Sequence, residues 1–358
     1  MALNVTKKTS TPLLSVANDG KALSLAEIMG NLNSKYGSGM AIIGDSKPQN
    51  MPRIPSSNPE INQALGGGVP IGKILEIYGA ESSGKTTFCL DIAANAQRMG
   101  MPVVFIDAEH ALDQKYAADL GVSVKDMLII QPDCGEDALN ALKDIIDMQS
   151  NTLFILDSIA ALTPRSDLEG DNAEVGKSQM GQHAKLMSTA YKQILAKVKK
   201  SNSTLLLTNQ MRMKIGFVLG DPRTTPGGEA TKFYASIRIY MGKDTQLMDG
   251  DTPVGQRSKF KIIKNKTAPV AKEMTVDIYY GKGFDNMDSL VNMAVAFKII
   301  DLSGAWYSMG ERKLGQGKTA VKELMENDND FRKLVEDGVS NAINTGVKVE
   351  PGKKKGKK

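Results

Sequence analysis

Cysteine is scarce in this chain: 358 residues hold only Cys89 and Cys134. Two thiols cannot build a disulfide framework, and they suit a reducing compartment. Neither stands in a cluster with metal-ligand spacing, which argues against metal binding through sulfur. Long apolar runs are missing too. No window approaches the roughly 20 apolar residues of a membrane span, and the first residues carry no apolar stretch of signal-peptide length, so a cytoplasmic protein is expected. Internal repeats are absent. Net charge is nearly absent once it is located. The chain carries 45 basic and 40 acidic residues, a formal +5; residues 348–358 hold six lysines and one acid, Glu350, and without them 39 of each sign remain. The basicity therefore belongs to a tail. A Gly/Lys stretch buries nothing and extends by self-repulsion, so 346–358 is predicted to be disordered. It reads equally as a solubilising tail and as a non-specific tether to nucleic acid.

What is present centres on Gly79-Ala80-Glu81-Ser82-Ser83-Gly84-Lys85-Thr86-Thr87. The apolar run Ile74–Tyr78 precedes it and an Ala-rich, helix-like stretch follows. That strand–loop–helix context is what a G-x-x-x-x-G-K-[ST] motif needs to act as a phosphate-binding loop. Its backbone N–H groups and the positive end of the following helix would face the phosphates. Lys85 would reach the β/γ-phosphates, and the Thr86 hydroxyl would sit on Mg2+.

Around this loop the chain alternates βα. Strands are predicted at Ile74–Tyr78, Val103–Asp107, Met127–Ile130, Leu153–Asp157 and Leu205–Asn209. Their consecutive apolar residues suit a parallel sheet covered on both faces, hence a doubly wound α/β core. Ser236–Met241, Ser258–Lys264 and Glu273–Tyr279 alternate more and read as antiparallel additions at one edge. Beyond residue 285 the composition shifts, and mostly short helices around Trp306 and Tyr307 are expected in a small α/β appendage. Upstream, Ser24-Leu25-Ala26-Glu27 has the form of a capping box. It opens a helix with one apolar stripe, followed by a short strand at Met40–Ile43. That stripe must pack on its own core or on a neighbouring subunit; the pattern leaves both open.

In an open α/β sheet, ligands bind beyond the carboxyl ends of the strands. Here those ends are polar. Val103–Asp107 continues into Ala108-Glu109-His110, where a carboxylate can orient and deprotonate a water; Glu109 is the candidate. The competing reading is that Asp107 or Glu109 caps the next helix. Leu153–Asp157 has the Walker B pattern, with Asp157 holding Mg2+ through water. Leu205–Asn209 leads into Gln210, which could sense a γ-phosphate and report it to the stretch 211–228. That stretch is long, Gly-rich and basic, with apolar members between, which suits contact with phosphates and bases. A second polar, Gly-containing loop spans 169–182, and Lys185 and Lys192 follow it on a helix.

These segments, with Asp107-Ala108-Glu109-His110-Ala111-Leu112-Asp113, Asp157–Pro164, Asn209–Gly216, Lys264-Asn265-Lys266 and Gly304-Ala305-Trp306-Tyr307, closely resemble the bacterial RecA recombinases from about residue 22 to about residue 345. The resemblance implies a RecA-type phosphate-loop ATPase core, with a mainly parallel sheet flanked by helices, over 48–284. It implies an N-terminal helix–strand arm within 1–47 for oligomerisation and a small C-terminal α/β domain over 285–345. It makes Glu109 the catalytic glutamate, acting with Lys85 and Gln210, and places Asp113, Tyr116, Tyr280 and Gly281 around the adenine. Lys264 and Lys266 would reach the ATP of the adjacent subunit. Met180, Lys185, Ser188, Lys192, Arg212, Met213, Lys214, Ile215, Gly227 and Gly228 fall on DNA-contact positions. Implied cofactors are ATP and Mg2+. Implied partners are single- and double-stranded DNA, further copies of the chain in a helical filament, and a LexA-like repressor for co-protease action. The implied activity is a DNA-dependent ATPase and homologous recombinase serving DNA repair and the SOS response.

Two features depart from the family pattern. The tail is basic where the family's is commonly acidic, and the first loop is about three residues longer when its flanking motifs are aligned. Such divergence suits a phage-encoded member. Rival readings are a ring-shaped helicase on the same core and a DNA-coating protein with a decayed motor. The arm and Lys264-Asn265-Lys266 argue against the ring. Intact Lys85, Thr86, Glu109, Asp157 and Gln210 argue against decay.

Overall fold

The computed structural model describes residues 23–37, 40–44, 51–169, 181–213, 223–270 and 273–347. Residues 1–50 and 51–358 form two units. In the first, Leu25–Tyr36 forms α1, capped as predicted: the Glu27 N–H donates to the Ser24 hydroxyl at 3.3 Å, and the Ser24 N–H donates to the Glu27 carboxylate at 2.8 Å. None of the α1 side chains is buried. Covering such a stripe is worth about 1.5–3 kcal/mol per large aliphatic side chain. The strand predicted at Met40–Ile43 does not form. Instead the Asn33 side-chain amide donates to Ala41 O at 2.9 Å and accepts from Ala41 N at 2.8 Å. The amide satisfies this backbone as a neighbouring strand would, and no strand pairs with it among the described residues.

The second unit opens with β1 (Arg53–Ile54), α2 (Pro59–Leu65) and β2 (Val69–Pro70). The core elements follow: β3 (Ile74–Gly79), α3 (Lys85–Arg98), β4 (Val103–Asp107), α4 (Gln114–Asp119), β5 (Met127–Ile130), α5 (Gly135–Met148) and β6 (Leu153–Asp157). Next come α6 (Arg165–Leu168), α7 (Gln182–Lys200), β7 (Thr204–Gln210), β8 (Arg212–Met213), β9 (Arg223–Thr224) and α8 (Gly228–Tyr234). The sheet is completed by β10 (Ile237–Asp249), β11 (Thr252–Asn265), β12 (Met274–Tyr279) and β13 (Gly283–Phe284).

Nine strands form the main sheet in the order β13-β12-β11-β10-β3-β7-β6-β4-β5. Strands β4, β5 and β6 match the predicted ranges. Strand β3 runs one residue further, and β7 one residue further at each end. Ser236–Met241 was expected to be antiparallel, but β10 runs parallel to β3, with Ile239 opposite Ile77. The reason is α8. It returns the chain across the sheet after β7, so β10 enters as the second strand of a βαβ crossover. Antiparallel pairing begins only at β11 and continues with β12.

Consecutive apolar residues on the parallel strands bury both faces, as expected. One face packs Leu75, Ile77 and Phe105 against Phe88, Leu90 and Ile92 of α3. The other packs Ile74, Phe154 and Leu207 against Leu142 of α5 and Met187, Tyr191 and Ile194 of α7. A third cluster belongs to α9 (Asn286–Ala296), β14 (Asp301–Ser303), β15 (Trp306–Met309), β16 (Arg312–Gln316), α10 (Lys318–Asn327) and α11 (Asn329–Asn344). The helix expected around Trp306 and Tyr307 is therefore a strand, the middle of the sheet β14-β15-β16. Turns at Gly304 and Gly310 bound this four-residue strand too closely for a helix; its Tyr307 faces the core while Trp306 is exposed.

Candidate active site

The sheet brings the predicted polar ends together at one edge. Gly79 stands opposite Gln210 across β3–β7, and Asp107 opposite Asp157 across β4–β6. The phosphate loop leaves β3 at Gly79, where a Cβ would lie 1.8 Å from Met241 O of β10; only glycine allows strand and loop to approach this closely. Gly84 ends the loop with φ +97°, and a Cβ there would meet Ile278 at 2.4 Å. It is the N-cap of α3 and supplies no side-chain cap, so the first N–H groups of the helix face the loop's hollow without a side-chain acceptor. Ser83 Oγ is buried with no hydrogen-bond partner among the described residues. Free donors around a glycine-shaped hollow fit phosphate oxygens.

Lys85 is buried, and its Nζ donates to Ala80 O at 2.8 Å and Gly79 O at 3.4 Å. Burial lowers its pKa, while the charges of Asp157 and Glu109 oppose that. The Thr86 hydroxyl donates to Asp157 Oδ2 at 2.6 Å, and Thr208 of β7 donates to the other carboxylate oxygen at 2.5 Å. Burial raises the Asp157 pKa against these hydrogen bonds. No group of three acidic, histidine or cysteine side chains that could hold a metal occurs among the described residues. A cation at Thr86 and Asp157 would therefore draw its other ligands from water and phosphate, as Mg2+ commonly does.

Glu109 is exposed at the mouth of the site. Its Oε1 accepts from Ser158 Oγ at 2.5 Å and from Gln210 Nε2 at 3.4 Å. Asp107, its rival, is occupied structurally. It accepts from the N–H groups of Ala111 and Leu112 at 3.1 and 3.2 Å and from Gln131 Nε2 at 3.1 Å. Neither residue of this pair caps the next helix, whose N-cap is Asp113; Asp107 instead holds the loop backbone at Ala111 and Leu112, and Glu109 projects free of both tasks.

A cavity of about 440 Å³ beside the loop is lined by Ser83, Lys85, Thr86, Tyr116, Gln256 and Tyr280, among others. The Tyr116 hydroxyl hydrogen-bonds Thr87 Oγ1 at 2.9 Å, which holds the ring at the wall. Gln256 donates to Ser82 O at 2.7 Å and braces the loop from β11. Asp113 does not line the cavity; its carboxylate caps α4 by accepting from Tyr116 N at 2.9 Å. Gly281 and Lys266 do not line it either. Lys264 faces elsewhere: its Nζ donates to the last-turn carbonyls of α8, Lys232 O at 2.7 Å and Phe233 O at 3.2 Å. Ser158, Gln256 and Lys243, which also lines the cavity, escaped sequence reasoning. Ser158 carried a signal, being the polar residue directly after the Walker B acid. Gln256 and Lys243 carried none, since nothing local says which strand residues meet a loop far away in the chain.

The stretch after Gln210 starts at the site itself. Met211 N donates to Gly79 O at 3.2 Å. Strands β8 and β9 then pair Arg212 with Thr224 and Met213 with Arg223, forming a stem. Lys214 and Ile215, and Met180 of the other loop, lie outside the described residues. Arg212 is exposed. Gly227 is the N-cap of α8, and Gly228 packs against Ala184 of α7. Lys185, Ser188 and Lys192 follow at helical spacing on α7, the lysines exposed, with Met187 and Tyr191 buried between. Among the described residues no helix is long and apolar enough to cross a membrane.

The chain is similar to known proteins over most of its length. The family model for the RecA N-terminal domain matches residues 21–285, and that for the RecA C-terminal domain matches 288–344. Among curated relatives, a protein named Protein RecA from Desulforapulum autotrophicum is 42% identical over 341 residues, covering 94% of this chain and 97% of its own length. Its counterparts in Geobacter metallireducens and Macrococcus caseolyticus are 42% identical over 322 residues and 40% identical over 329, covering 89% and 91% of this chain and 94% and 92% of their own lengths.

Proposed function

The chain belongs to the RecA family and is a DNA-dependent ATPase and recombinase, and we propose that it works as an ATP-switched filament on single-stranded DNA. The observation that carries this reading is the junction at Gly79. The last residue of the phosphate-loop strand accepts from Met211, the first residue after Gln210, so pocket and loop stem share one hydrogen bond.

In this reading the hollow between Ser83 and the start of α3 binds the phosphates of ATP, and Lys85 swings from the loop carbonyls onto them. Thr86 and Asp157 would hold Mg2+, which offsets phosphate charge and polarises the γ-phosphoryl group. Glu109, steadied by Ser158, orients the attacking water and takes its proton. Gln210 lies against Glu109 and is positioned to sense the γ-phosphate. Tyr116 and Tyr280 border the base, with Asp113 and Gly281 beyond them.

Lys264 and Lys266 would serve the site of the adjacent subunit, replacing an arginine finger in trans. For Lys264 this means leaving the α8 carbonyls. The uncovered stripe of α1 would pack on that neighbour. Lys185, Ser188, Lys192, Arg212 and the loops at 169–182 and 211–228 would grip the DNA backbone, because base pairing supplies specificity. Residues 48–284 would act as the motor, with 285–345 as an accessory domain. A cytoplasmic location and co-protease action on a LexA-like repressor complete the proposal on family membership alone.

The test is ATP turnover with and without single-stranded DNA. The reading expects strong stimulation by DNA and none in Lys85→Ala. Equal turnover with and without DNA would refute it.

A further inference from the structure

Asn209 precedes Gln210 on β7 and is fully buried. Its Nδ2 donates twice, to Glu76 Oε1 at 3.0 Å and to Pro226 O at 3.0 Å. Glu76 lies on β3 upstream of Gly79 and is also fully buried. Its second oxygen accepts from Arg238 Nε at 2.5 Å, and Glu76 and Arg238 are register partners on β3 and β10. The Arg238 guanidinium carbon lies 4.8 Å from the centre of the Tyr78 ring. A buried carboxylate is tolerated only when paired and hydrogen-bonded, and here both oxygens are used.

Pro226 sits where the loop from 211 returns to α8. The two limbs of that loop are therefore both tied to β3. The outgoing limb is tied directly, Met211 N to Gly79 O at 3.2 Å. The returning limb is tied through Asn209 to Glu76. A buried amide that lets go of either partner leaves a polar group unsatisfied, so the limb follows the strand rather than parting from it. Asn209 Oδ1, meanwhile, is buried with no partner among the described residues. The amide is engaged on its donor side only.

We propose that Asn209 is a positioning residue. Held by Glu76 and Arg238, it carries the state of the nucleotide pocket to the returning limb of the loop. This rests on reading 211–228 as a DNA-binding loop. Gln210 faces Glu109 and the pocket; Asn209 faces away from it and fixes the far end of the same loop. The arrangement makes the two neighbours divide sensing from transmission.

The test compares affinity for a fluorescein-labelled oligo-dT, by anisotropy, with ATPγS and with ADP bound, in the full-length chain and in Asn209→Ala. The ratio of the two affinities is the coupling. Asn209→Ala is expected to reduce that ratio about tenfold, within the usual range of coupling between sites, while affinity for a fluorescent ATP analogue stays within about twofold because Asn209 does not touch the pocket. A purely structural role would lower the melting temperature and leave the ratio unchanged, and that result overturns the proposal. Asn209→Ser, too short to bridge Glu76 and Pro226, is used if the alanine variant does not fold. If the unmodified chain itself shows no difference between ATPγS and ADP, the reading of 211–228 as a nucleotide-gated DNA loop falls. A wild-type difference that both variants keep removes the transmission role alone.

Discussion

The Thr86 hydroxyl donates to Asp157 Oδ2 at 2.6 Å, joining the start of α3 to the end of β6. Protonation of Asp157 sets two effects of pH against each other. Burial raises the Asp157 pKa. A folded-state pKa above the unfolded one means that the folded chain prefers the protonated acid. The residue's contribution to the stability of the nucleotide-free protein is thus present below the unfolded pKa and lost as pH rises through the raised folded value. Metal binding runs the other way, because a ligand carboxylate must be ionised.

Stabilisation by Mg2+ and ATP should therefore fade on acidification, beginning above the ordinary carboxylate range because burial raises the Asp157 pKa. Thermal melts with and without Mg2+ and ATP measure this. Asp157→Asn should lose the Mg2+-dependent increment at every pH, and the nucleotide-free variant should melt no lower than the parent near neutrality. A full Mg2+ increment in Asp157→Asn would remove this residue from the cation site.

Glu109→Gln should slow DNA-stimulated hydrolysis by about 10²–10⁴-fold, the usual scale for losing a general base. Binding of ATP and DNA should persist. Ser158→Ala should lower turnover by about tenfold, since it loosens the carboxylate without removing it. Single-turnover hydrolysis measures both. Normal rates in Glu109→Gln would transfer the role elsewhere.

Tyr116→Ala should raise KM for ATP by about tenfold, because it strips an aromatic wall from the cavity. Tyr116→Phe keeps the wall and loses only the bond to Thr87, worth about 1 kcal/mol. Its KM should stay near wild type while its melting temperature falls slightly. An unchanged KM in Tyr116→Ala would place the base on another wall.

Lys264 offers a test by mixing. Lys264→Ala and Glu109→Gln should each be nearly inactive alone. In mixed filaments, an intact Glu109 from one chain can meet an intact Lys264 from its neighbour, so turnover should reappear at about a quarter of the wild-type level if assembly is random and each subunit pair acts independently. No recovery on mixing would contradict action in trans. Lys264→Ala should also melt lower, because it uncovers the carbonyl end of α8.

Much of the core was legible because parallel strands buried on both faces write continuous apolar runs. Val103–Asp107, Met127–Ile130 and Leu153–Asp157 coincide with β4, β5 and β6. The polar residues ending such runs converge for a topological reason, so Gly79, Glu109, Asp157 and Gln210 could be gathered before their distances were known. Less legible was anything decided by long-range partners. Met40–Ile43 has strand-like residues, but Asn33 satisfies Ala41 instead. The direction of β10 depends on the crossover through α8, which local alternation does not reveal. Glu76 and Asn209 look like flaws in apolar strands until Arg238 and Pro226 are brought beside them. The parking of Lys264 on α8 was likewise invisible, since its motif speaks only of phosphate.

The most direct test of the whole account is electron microscopy of the protein with single-stranded DNA and ATP, beside Lys85→Ala under the same conditions. An ATP-switched recombinase should form continuous helical filaments whose extended state is lost in Lys85→Ala. Closed rings, or a featureless coat indifferent to the Lys85 substitution, would contradict it.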